Sequence, residues 1–505
     1  MASSAVRIAH GSLFLVIGNT LRIPIGILTL AFFARSLSLV EMGIVVAFEI
    51  LLQFLQLISN PGLSRSITTY AAEGLGKGQN VSALVRKLIL AGAGLSLCTS
   101  LILLLVLGAL PSIISGTRVP ERILQLLSLD TFFFCVAPYM DSSLLGLRDF
   151  KSLSATELTS YAVRQFAGVA FVASGLGVQG VVEGWVLGDG IYLLGAVLAM
   201  EHNLRQYSAL PRFTVGTREL VTFSASVYGS RLIDFASKWF DRIFVLAVFS
   251  IEDLALYNVA YSIFSYAQSL PDALSGTLLQ HYAERSGSGN QSLMNAESAA
   301  ATRYAALLFT PAFLGLAAVS NPAILLIAGP RYSSATVLLA VLSGIGALTV
   351  SSPGFEQIFY VIKKTNVYVI LAIAEALGGL LLSLLLIGPL GMPGIAFARS
   401  ISLVLVFVIG LTALKELTSI RLQTRSLVKI LLCSAAMAMV VYMAEQAYYS
   451  LVALPLYIAI GAITYFILVW RMRLLRKRDF DVARELFGAR ATPFINTLEK
   501  LVTRM

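Results

Sequence analysis

The chain has 505 residues, of which 57% are hydrophobic and only 13% are charged, and its mean hydropathy is +0.83. Soluble domains are about 45–50% apolar and about 25% charged, so this composition excludes an ordinary soluble protein and indicates a polytopic membrane protein. The formal net charge of +10 does not indicate nucleic acid as a partner, because the basic residues fall in short loops between apolar stretches rather than on one soluble face.

Hydropathy over a window of about 19 residues predicts an all-α membrane protein with about fourteen transmembrane helices. The approximate limits of the predicted spans are 11–34, 43–63, 84–108, 123–146, 157–175, 180–200, 219–248, 255–279, 299–319, 334–360, 366–387, 393–413, 427–447 and 453–470. The fifth span is interrupted by Arg164 and the seventh by a series of charges.

The basic residues of the loops test this count independently, because cytoplasmic loops of membrane proteins carry an excess of lysine and arginine. With an even number of spans, both termini lie on one side of the membrane. That side then holds 27 of the 37 basic residues, the opposite side holds four and the spans hold six. We therefore expect a multi-pass protein of the cell membrane with both termini in the cytoplasm.

The two halves of the chain match each other. A shift of 212 residues places the first span on the seventh and aligns SLVEMG at 38–43 with SIEDLA at 250–255. Polar residues recur at the same helical spacing in the second and eighth spans, which puts each set along one helix face and predicts that both line a cavity. The two sets are Glu49, Gln53, Gln56 and Asn60, and Tyr261, Ser265, Gln268 and Asp272.

A shift by six spans preserves orientation, so we expect parallel repeats about an axis normal to the membrane, with the substrate site in the cleft between them. Residues 1–200 then form an N-terminal six-helix lobe, 201–218 a cytoplasmic linker and 219–413 a C-terminal six-helix lobe. Residues 414–470 add two transmembrane helices, and 471–505 form a basic amphipathic tail in the cytoplasm. The tail is typical of an anchor on anionic membrane lipids, with a partner-binding helix as the alternative.

Six basic residues lie within the predicted spans, where each costs about 2.5–3.5 kcal/mol at the bilayer centre. They are Arg22, Arg164, Arg231, Lys238, Arg242 and Arg399. In the seventh span, three of these cations share one face with Asp234 and Asp241. One interpretation is a set of ion pairs that hold this helix to its neighbours. The other is a surplus of positive charge that, together with Arg22, binds an anionic head group, since guanidinium makes bidentate bonds to phosphate.

Acidic residues in the spans have two possible roles. Glu49, Glu375, Asp234 and Asp241 are candidates for pairing with the buried cations or for carrying a coupling proton or sodium ion. For Arg164 and for Arg399, a role in the substrate site and a role in a structural ion pair are equally supported. The glycines at 180, 184 and 188 are spaced to let two helix backbones approach closely.

No motif in the chain indicates an enzyme, a cofactor or a metal site. GLGKG at 74–78 lacks the spacing of a phosphate-binding loop, HExxH is absent, and the three histidines are scattered. A multidrug exporter is the alternative within transport. A membrane glycosyltransferase or polymer ligase is the alternative among enzymes, but it needs a sizeable outer loop with catalytic groups, and the outer loops predicted here are short.

Several stretches carry a resemblance to a known family. They are ARSLSLVEMGIV at 34–45, GLRDFKSLSATEL at 146–158, DRIFVLAVFSIEDLALYNVAYSI at 241–263, LIAGPRYSSATVLL at 326–339 and GPLGMPGIAFARSIS at 388–402. In their order and spacing they resemble the O-antigen-type flippases, the polysaccharide transporter branch of the multidrug/oligosaccharidyl-lipid/polysaccharide exporter superfamily. The likeness extends over essentially the whole chain.

The resemblance implies two six-span lobes in a V around a central cavity, with two extra C-terminal spans. It implies that a polyprenyl-phosphate- or pyrophosphate-linked oligosaccharide crosses from the cytoplasmic to the outer leaflet by alternating access, with other polysaccharide-assembly proteins as possible partners. In the related lipid II flippases, arginines around the cavity bind the pyrophosphate, and Arg22 matches the position in the first span. The eighth span lacks an arginine, so the cations of the seventh span are expected to replace it.

The topology predicts which introduced cysteines react with a membrane-impermeant reagent added outside the cell. In a variant without Cys98, Cys135 and Cys433, Ser115→Cys should be labelled, because it lies in an outer loop, and Ser82→Cys should not. Labelling of Ser82→Cys without labelling of Ser115→Cys would contradict the topology.

Overall fold

A computed structural model describes residues 2–106, 119–207, 210–287, 291–350, 355–418, 420, 423–475, 479, 484, 496 and 499. Within these ranges the backbone is helical apart from turns and one isolated β-bridge between Asn80 and Arg212. This confirms the all-α class. Ser115 and the rest of residues 107–118, which include Arg118 of the longest outer loop, lie outside the described residues.

The described helices, numbered in chain order, fall into two groups. The first runs from α1 to α9: Ala2–Ser36, Leu39–Ser59, Leu63–Gly76, Ser82–Val106, Glu121–Gly146, Phe150–Ala173, Gly177–Gln206, Thr217–Val248 and Ile251–Gly287. The second runs from α10 to α17: Gln291–Ala318, Ser320–Ile327, Ala335–Gly346, Phe355–Val361, Thr365–Leu390, Met392–Leu417, Thr424–Ala447 and Leu454–Arg471. Short 3₁₀ turns lie at Pro330–Tyr332 and Leu451–Ala453.

Thirteen of the fourteen predicted spans coincide with one long helix each, and the tenth span falls on the two shorter helices α12 and α13. Among the described residues, nine helices are long and apolar enough to cross a membrane. The helices α6 and α8 are as long, but polar and charged residues lower their mean hydropathy. A multi-pass membrane protein is therefore established, and the number of fourteen crossings stays a prediction. The helix α3 was not predicted, because it is amphipathic rather than apolar.

The chain divides into two compact units. The first unit comprises Met1–Tyr266, Ile327–Ala335 and Ala372–Ala398, and the second comprises Ala267–Leu326, Thr336–Leu371 and Arg399–Met505. The lobes predicted at 1–200 and 219–413 remain a prediction.

In the first unit, α6 and α7 pack along their whole length, α5 packs on α4 and α7, and α1 packs on α6. The core between α3, α4, α5 and α7 includes Tyr139, whose hydroxyl donates to the Ser59 carbonyl at 2.6 Å. In the second unit, α10 packs on α16 and α17. The tail is attached there, since Arg303 of α10 makes a bidentate bond to Asp479 at 2.6 and 2.9 Å.

The predicted packing role of the glycine series is confirmed. A Cβ atom at Gly184 would lie 2.5 Å from the backbone nitrogen of Gly168, and one at Gly188 would lie 2.5 Å from the Cβ atom of Arg164. A side chain at either position would therefore push α7 away from α6. The approach at Gly188 brings the α7 backbone next to Arg164, whose charge is costly in a membrane helix unless a partner is near.

The repeat is visible in local structure at two equivalent positions. Ser38 and Glu41 form a capping box at the start of α2, in which the Glu41 carboxylate accepts from the Ser38 backbone N–H at 2.8 Å. The residues 212 positions later, Ser250 and Asp253, exchange the same bonds at the start of α9. Each box satisfies N–H groups that a helix start leaves unpaired. Superposition of the two halves stays a prediction.

Substitution of the packing glycines should destabilise the first unit. Gly184→Val should lower the midpoint of thermal unfolding and the amount of protein in the membrane, because the side chain meets backbone atoms that cannot move aside. Gly190→Ala is the matched control on the same helix, since its nearest neighbour would be a Phe133 ring atom at 3.6 Å. Fluorescence-detected size-exclusion chromatography of heated membranes would measure both. Equal midpoints for the two variants would contradict the packing role.

Candidate functional site

Arg22, the cation predicted in the first span, is paired with a carboxylate. Its guanidinium lies 2.8 Å from a carboxylate oxygen of Glu157 on α6 and 5.7 Å from the centroid of the Tyr161 ring. Its Nε atom is buried and has no hydrogen-bond partner among the described residues. Asp141 on α5 interacts with Glu157 and accepts a hydrogen bond from Tyr192. Arg22 therefore forms an ion pair with Glu157 and attracts the Asp141 carboxyl group at longer range.

Arg164 of α6 is paired more tightly. It lies 2.5 Å from the carboxylate of Asp189 on α7, and its guanidinium carbon is 4.6 Å from the centroid of the Trp185 ring. The side chains of this pair are only 15% and 12% exposed. The indole face adds a cation–π attraction, which is stronger away from water. This arrangement is a structural pair rather than a free cation that awaits an anion.

Arg242 of α8 is held on several sides. Its guanidinium carbon lies 3.7 Å from the Trp239 ring centroid and 4.2 Å from that of Tyr261, and it donates to the Lys238 carbonyl at 2.6 Å. The neighbouring Asp241 is fully buried and accepts hydrogen bonds from the Arg242 backbone N–H and the Tyr257 hydroxyl at 2.8 and 2.9 Å. Arg242 and Asp241 thus fix α8 against α9.

The remaining charges of α8 differ from one another. Lys238 pairs with Asp234 one helical turn away at 3.0 Å, and both side chains are well exposed, at 62% and 41%. Arg231 has no carboxylate within ion-pair distance among the described residues, and it donates instead to the backbone carbonyl of Asn60 at 2.9 Å. The surplus positive charge predicted for the seventh span is therefore Arg231.

Arg231 lies where α2 ends and α3 begins. Gly62 in this turn has φ +85°, and a Cβ atom there would lie 2.1 Å from the Ser224 carbonyl of α8. Ser66 of α3 and Ser224 share a hydrogen bond of 2.7 Å. Only glycine allows both the left-handed conformation and this close approach. The turn therefore fixes α3 against α8.

A second cation without a carboxylate partner lies at the same junction. Arg65, in the first turn of α3, is exposed and makes no hydrogen bond or ion pair with the residues that the structure describes. It is close enough to Arg231 for their positive charges to repel. Sequence reasoning counted Arg65 only as a loop cation. The signal that was missed is the break Asn60-Pro61-Gly62, which turns the chain directly after a membrane span.

The first unit contains a cavity of about 230 Å³. Glu49 of α2 is its acidic group, and Gln165, Asn258 and Ser262 add polar atoms. Three aromatic residues complete the wall: Tyr161, Trp185 and Tyr266. Glu49 makes no hydrogen bond or ion pair within the described part of the chain, although it interacts at longer range with Arg164 and Arg242.

The two predicted polar stripes are divided among different roles. In α2, Glu49 lines the cavity, Gln56 donates to the Phe134 carbonyl of α5 at 3.0 Å, and Asn60 accepts from the Ser64 N–H in the turn at 3.3 Å. Gln53 is half-buried. In α9, residues 258, 262 and 266 line the cavity, on a polar stripe that neighbours the predicted one.

The predicted residues of α9 and beyond lie elsewhere. Tyr261 stacks on Arg242, Ser265 is half-buried, and Gln268 donates to Asp272 at 3.3 Å. Arg399 of α15 is almost completely buried, and Glu375 of α14 is half-buried. No cluster of three or more potential metal-binding side chains occurs among the described residues.

Three comparisons relate this chain to known proteins. A family model described as "Polysaccharide biosynthesis protein" matches residues 32–337. A curated relative, the "Probable low-salt glycan biosynthesis flippase Agl15" of Haloferax volcanii, is 21% identical over 422 residues, which cover 82% of this chain and 85% of the relative.

Solved structures share the fold at lower identity. The "Lipid II flippase MurJ, inward closed conformation" superposes with a TM-score of 0.68 at 15% identity, covering 93% of this chain and all of the flippase. An inward-facing multidrug resistance MATE family transporter of the MOP superfamily has a TM-score of 0.60 at 13% identity, with coverage of 78% and 96%. The Vibrio cholerae MATE transporter VcmN has a TM-score of 0.58 at 13% identity, with coverage of 82% and 98%.

Proposed function

Because the chain belongs to the polysaccharide biosynthesis protein family, whose model matches more than half of it, we propose that it is a membrane transporter of the flippase type. Its substrate is an oligosaccharide linked to a polyprenyl phosphate or pyrophosphate. The protein moves this lipid from the cytoplasmic to the outer leaflet by alternating access. A flippase of glycan biosynthesis among its relatives and the fold of a lipid II flippase support this assignment over an enzyme.

The observation that carries the proposal is the pair of arginines at the junction of α2, α3 and α8. Arg231 and Arg65 repel each other, and neither has a carboxylate within ion-pair distance in the described structure. A phosphate between them would remove this repulsion, and each guanidinium could bind two of its oxygens. The Asn60 carbonyl accepts a hydrogen bond from Arg231. This carbonyl is uncharged, so it holds the guanidinium in place without neutralising it, and a phosphate can still bind.

The other predicted cations differ in whether they can bind the phosphate. Arg22 and Lys238 have partly exposed carboxylate pairs, so phosphate can replace those partners as the head group moves. Arg164 and Arg242 are enclosed by aromatic rings and carboxylates and act as positioning residues. Arg399 remains a candidate for later contact with the substrate.

The position of the arginine pair fits the direction of transport. The loop between α2 and α4 belongs to the side that loop charges predict to be cytoplasmic, where a lipid-linked sugar is assembled. Fixed positive charge at this face also favours anionic membrane lipids as neighbours. Other polysaccharide-assembly proteins are the partners proposed for delivery of the substrate.

A second candidate function is export of cationic drugs. The observation that favours it is the cavity around Glu49, where one carboxylate faces aromatic rings, because such sites attract organic cations. In an ethidium-efflux assay, drug export that Glu49→Gln abolishes and that Arg65→Ala/Arg231→Ala leaves unchanged would favour this second function.

Removal of the arginine pair should stop transport of the lipid-linked sugar. Arg65→Ala/Arg231→Ala should slow translocation in proteoliposomes by at least about tenfold, since each lost charge-assisted bond to phosphate is worth about 1.5–3 kcal/mol. Translocation is measured as protection of a fluorescent sugar-lipid from an impermeant quencher. Arg231→Lys should retain part of the rate, because it keeps the charge without the bidentate geometry.

Lys87→Ala is the matched control, because Lys87 is another exposed cation on the same predicted side of the membrane. It should transport at the rate of the unaltered chain. A full rate in the double variant, at equal amounts of reconstituted protein, would exclude these arginines as the phosphate site.

A further inference from the structure

A buried carboxyl group next to Arg164 is not used by the proposed phosphate site. Asp130 of α5 is 0% exposed, and neither of its oxygens has a hydrogen-bond donor among the described residues. Its carboxyl group lies within hydrogen-bonding reach of the Asp189 carboxyl, which already accepts from Arg164. A carboxyl oxygen can bond to another carboxyl oxygen only through a shared proton.

The local charge count leads to the same result. Arg164 interacts with three carboxyl groups, those of Asp189, Asp130 and Glu49, and can neutralise one. Arg242, the other cation near Glu49, is beside its own carboxylate, Asp241. A fully ionised cluster would therefore hold two uncompensated negative charges in a low-dielectric interior, which is strongly destabilising. One proton on Asp130 removes one of them.

No cation on the other neighbouring helices compensates for Asp130. The charged residues of α4, which are Arg86 and Lys87, are exposed near its beginning, and those of α3 lie at the junction or on its surface. The titratable group nearest on α5 itself is the buried thiol of Cys135, which carries no positive charge in any state. From α7, only Asp189 reaches the cluster.

We propose that Asp130 is a proton-binding site, in which its carboxyl group carries one proton and donates it in a hydrogen bond to the carboxylate of Asp189, held in place by Arg164. On the premise of the proposed function, loading and release of this proton couple sugar-lipid transport to the proton gradient. No bond other than O–H changes in this step. Deprotonated Asp130 and a protonated water or carboxyl group in the adjoining cavity are the products.

The geometry favours a proton over a metal ion. A sodium ion needs several oxygen ligands and space between them, whereas Asp130 is completely buried and the guanidinium of Arg164 would repel a second cation. The cavity lies close to Arg164. Trp185 and Glu49 line it, and the face of Trp185 lies against Arg164.

Infrared spectroscopy of the full chain in lipid nanodiscs tests the proton site directly. The unaltered protein should show the carbonyl band of a protonated carboxylic acid that persists at alkaline pH, where exposed carboxyl groups are ionised. Asp130→Asn should remove this band, because the amide mimics the neutral acid and cannot ionise. Glu183→Gln, on α7 near Arg122, should leave the band intact. An unchanged band in Asp130→Asn, or no such band in the unaltered chain, would overturn the proposal.

A second variant covers the case in which Asp130→Asn does not fold. Asp189→Asn changes the acceptor from a carboxylate to an amide, so the Asp130 band should shift in frequency. A band at the same frequency would show that the two groups do not share a proton and would overturn the site.

Translocation assays with and without a proton gradient distinguish failure of this proposal from failure of the proposed function. A proton gradient should accelerate sugar-lipid translocation by the unaltered chain several-fold, and Asp130→Asn should lose that acceleration. Equal responses of both proteins would overturn the coupling. A lack of any translocation by the unaltered chain would overturn the proposed function alone, because the infrared titration still decides whether Asp130 holds a proton.

Discussion

The ion pair between Arg164 and Asp189 depends on how closely α6 and α7 approach each other. Three glycines of α7 permit that approach, and one of them, Gly188, touches the residue that carries the charge. The pair therefore joins packing to electrostatics in one place. A guanidinium in a membrane helix is tolerated only if a partner lies close to it. Here the close packing of the two backbones places the Asp189 carboxylate 2.5 Å from the Arg164 guanidinium.

The all-α membrane fold could be predicted from the sequence because long apolar segments indicate membrane helices. The asymmetry of loop charges adds an independent prediction of which loops share one side. The capping boxes of α2 and α9 lie in the stretches SLVEMG and SIEDLA, which the repeat alignment matched. A capping box is a local motif, because its residues are only three positions apart. Prediction was incomplete where a segment is amphipathic, as in α3, or where a span is divided, as in α12 and α13. The first case gives no continuous apolar run, and in the second a window average does not register the turn at residues 347–350.

The candidate site was harder to predict, because pairing joins residues that are distant in the chain. Glu157 is 135 positions from Arg22, and Asn60 is 171 positions from Arg231. A count of cations within spans does not show which of them are paired: Arg22 and Arg164 have carboxylate partners on other helices. The helical stripes predicted cavity-lining residues on α2 and α9, and the cavity around Glu49 is lined in α9 by residues of a neighbouring stripe, which differs from the predicted one only by rotation. Burial against neighbours decides between them.

The paired and unpaired charges of the first unit are linked through Glu49. This carboxylate interacts with Arg164 in one direction and with Arg242 of α8 in the other. Loss of a proton from Asp130 adds negative charge beside Arg164, so Arg164 attracts Glu49 less and Arg242 becomes its better partner. The same helix α8 carries Arg231. Because salt and water screen such interactions weakly inside a protein, a charge change at the acidic cluster is felt along α8 without a direct contact. Proton and phosphate could thus bias the position of one helix.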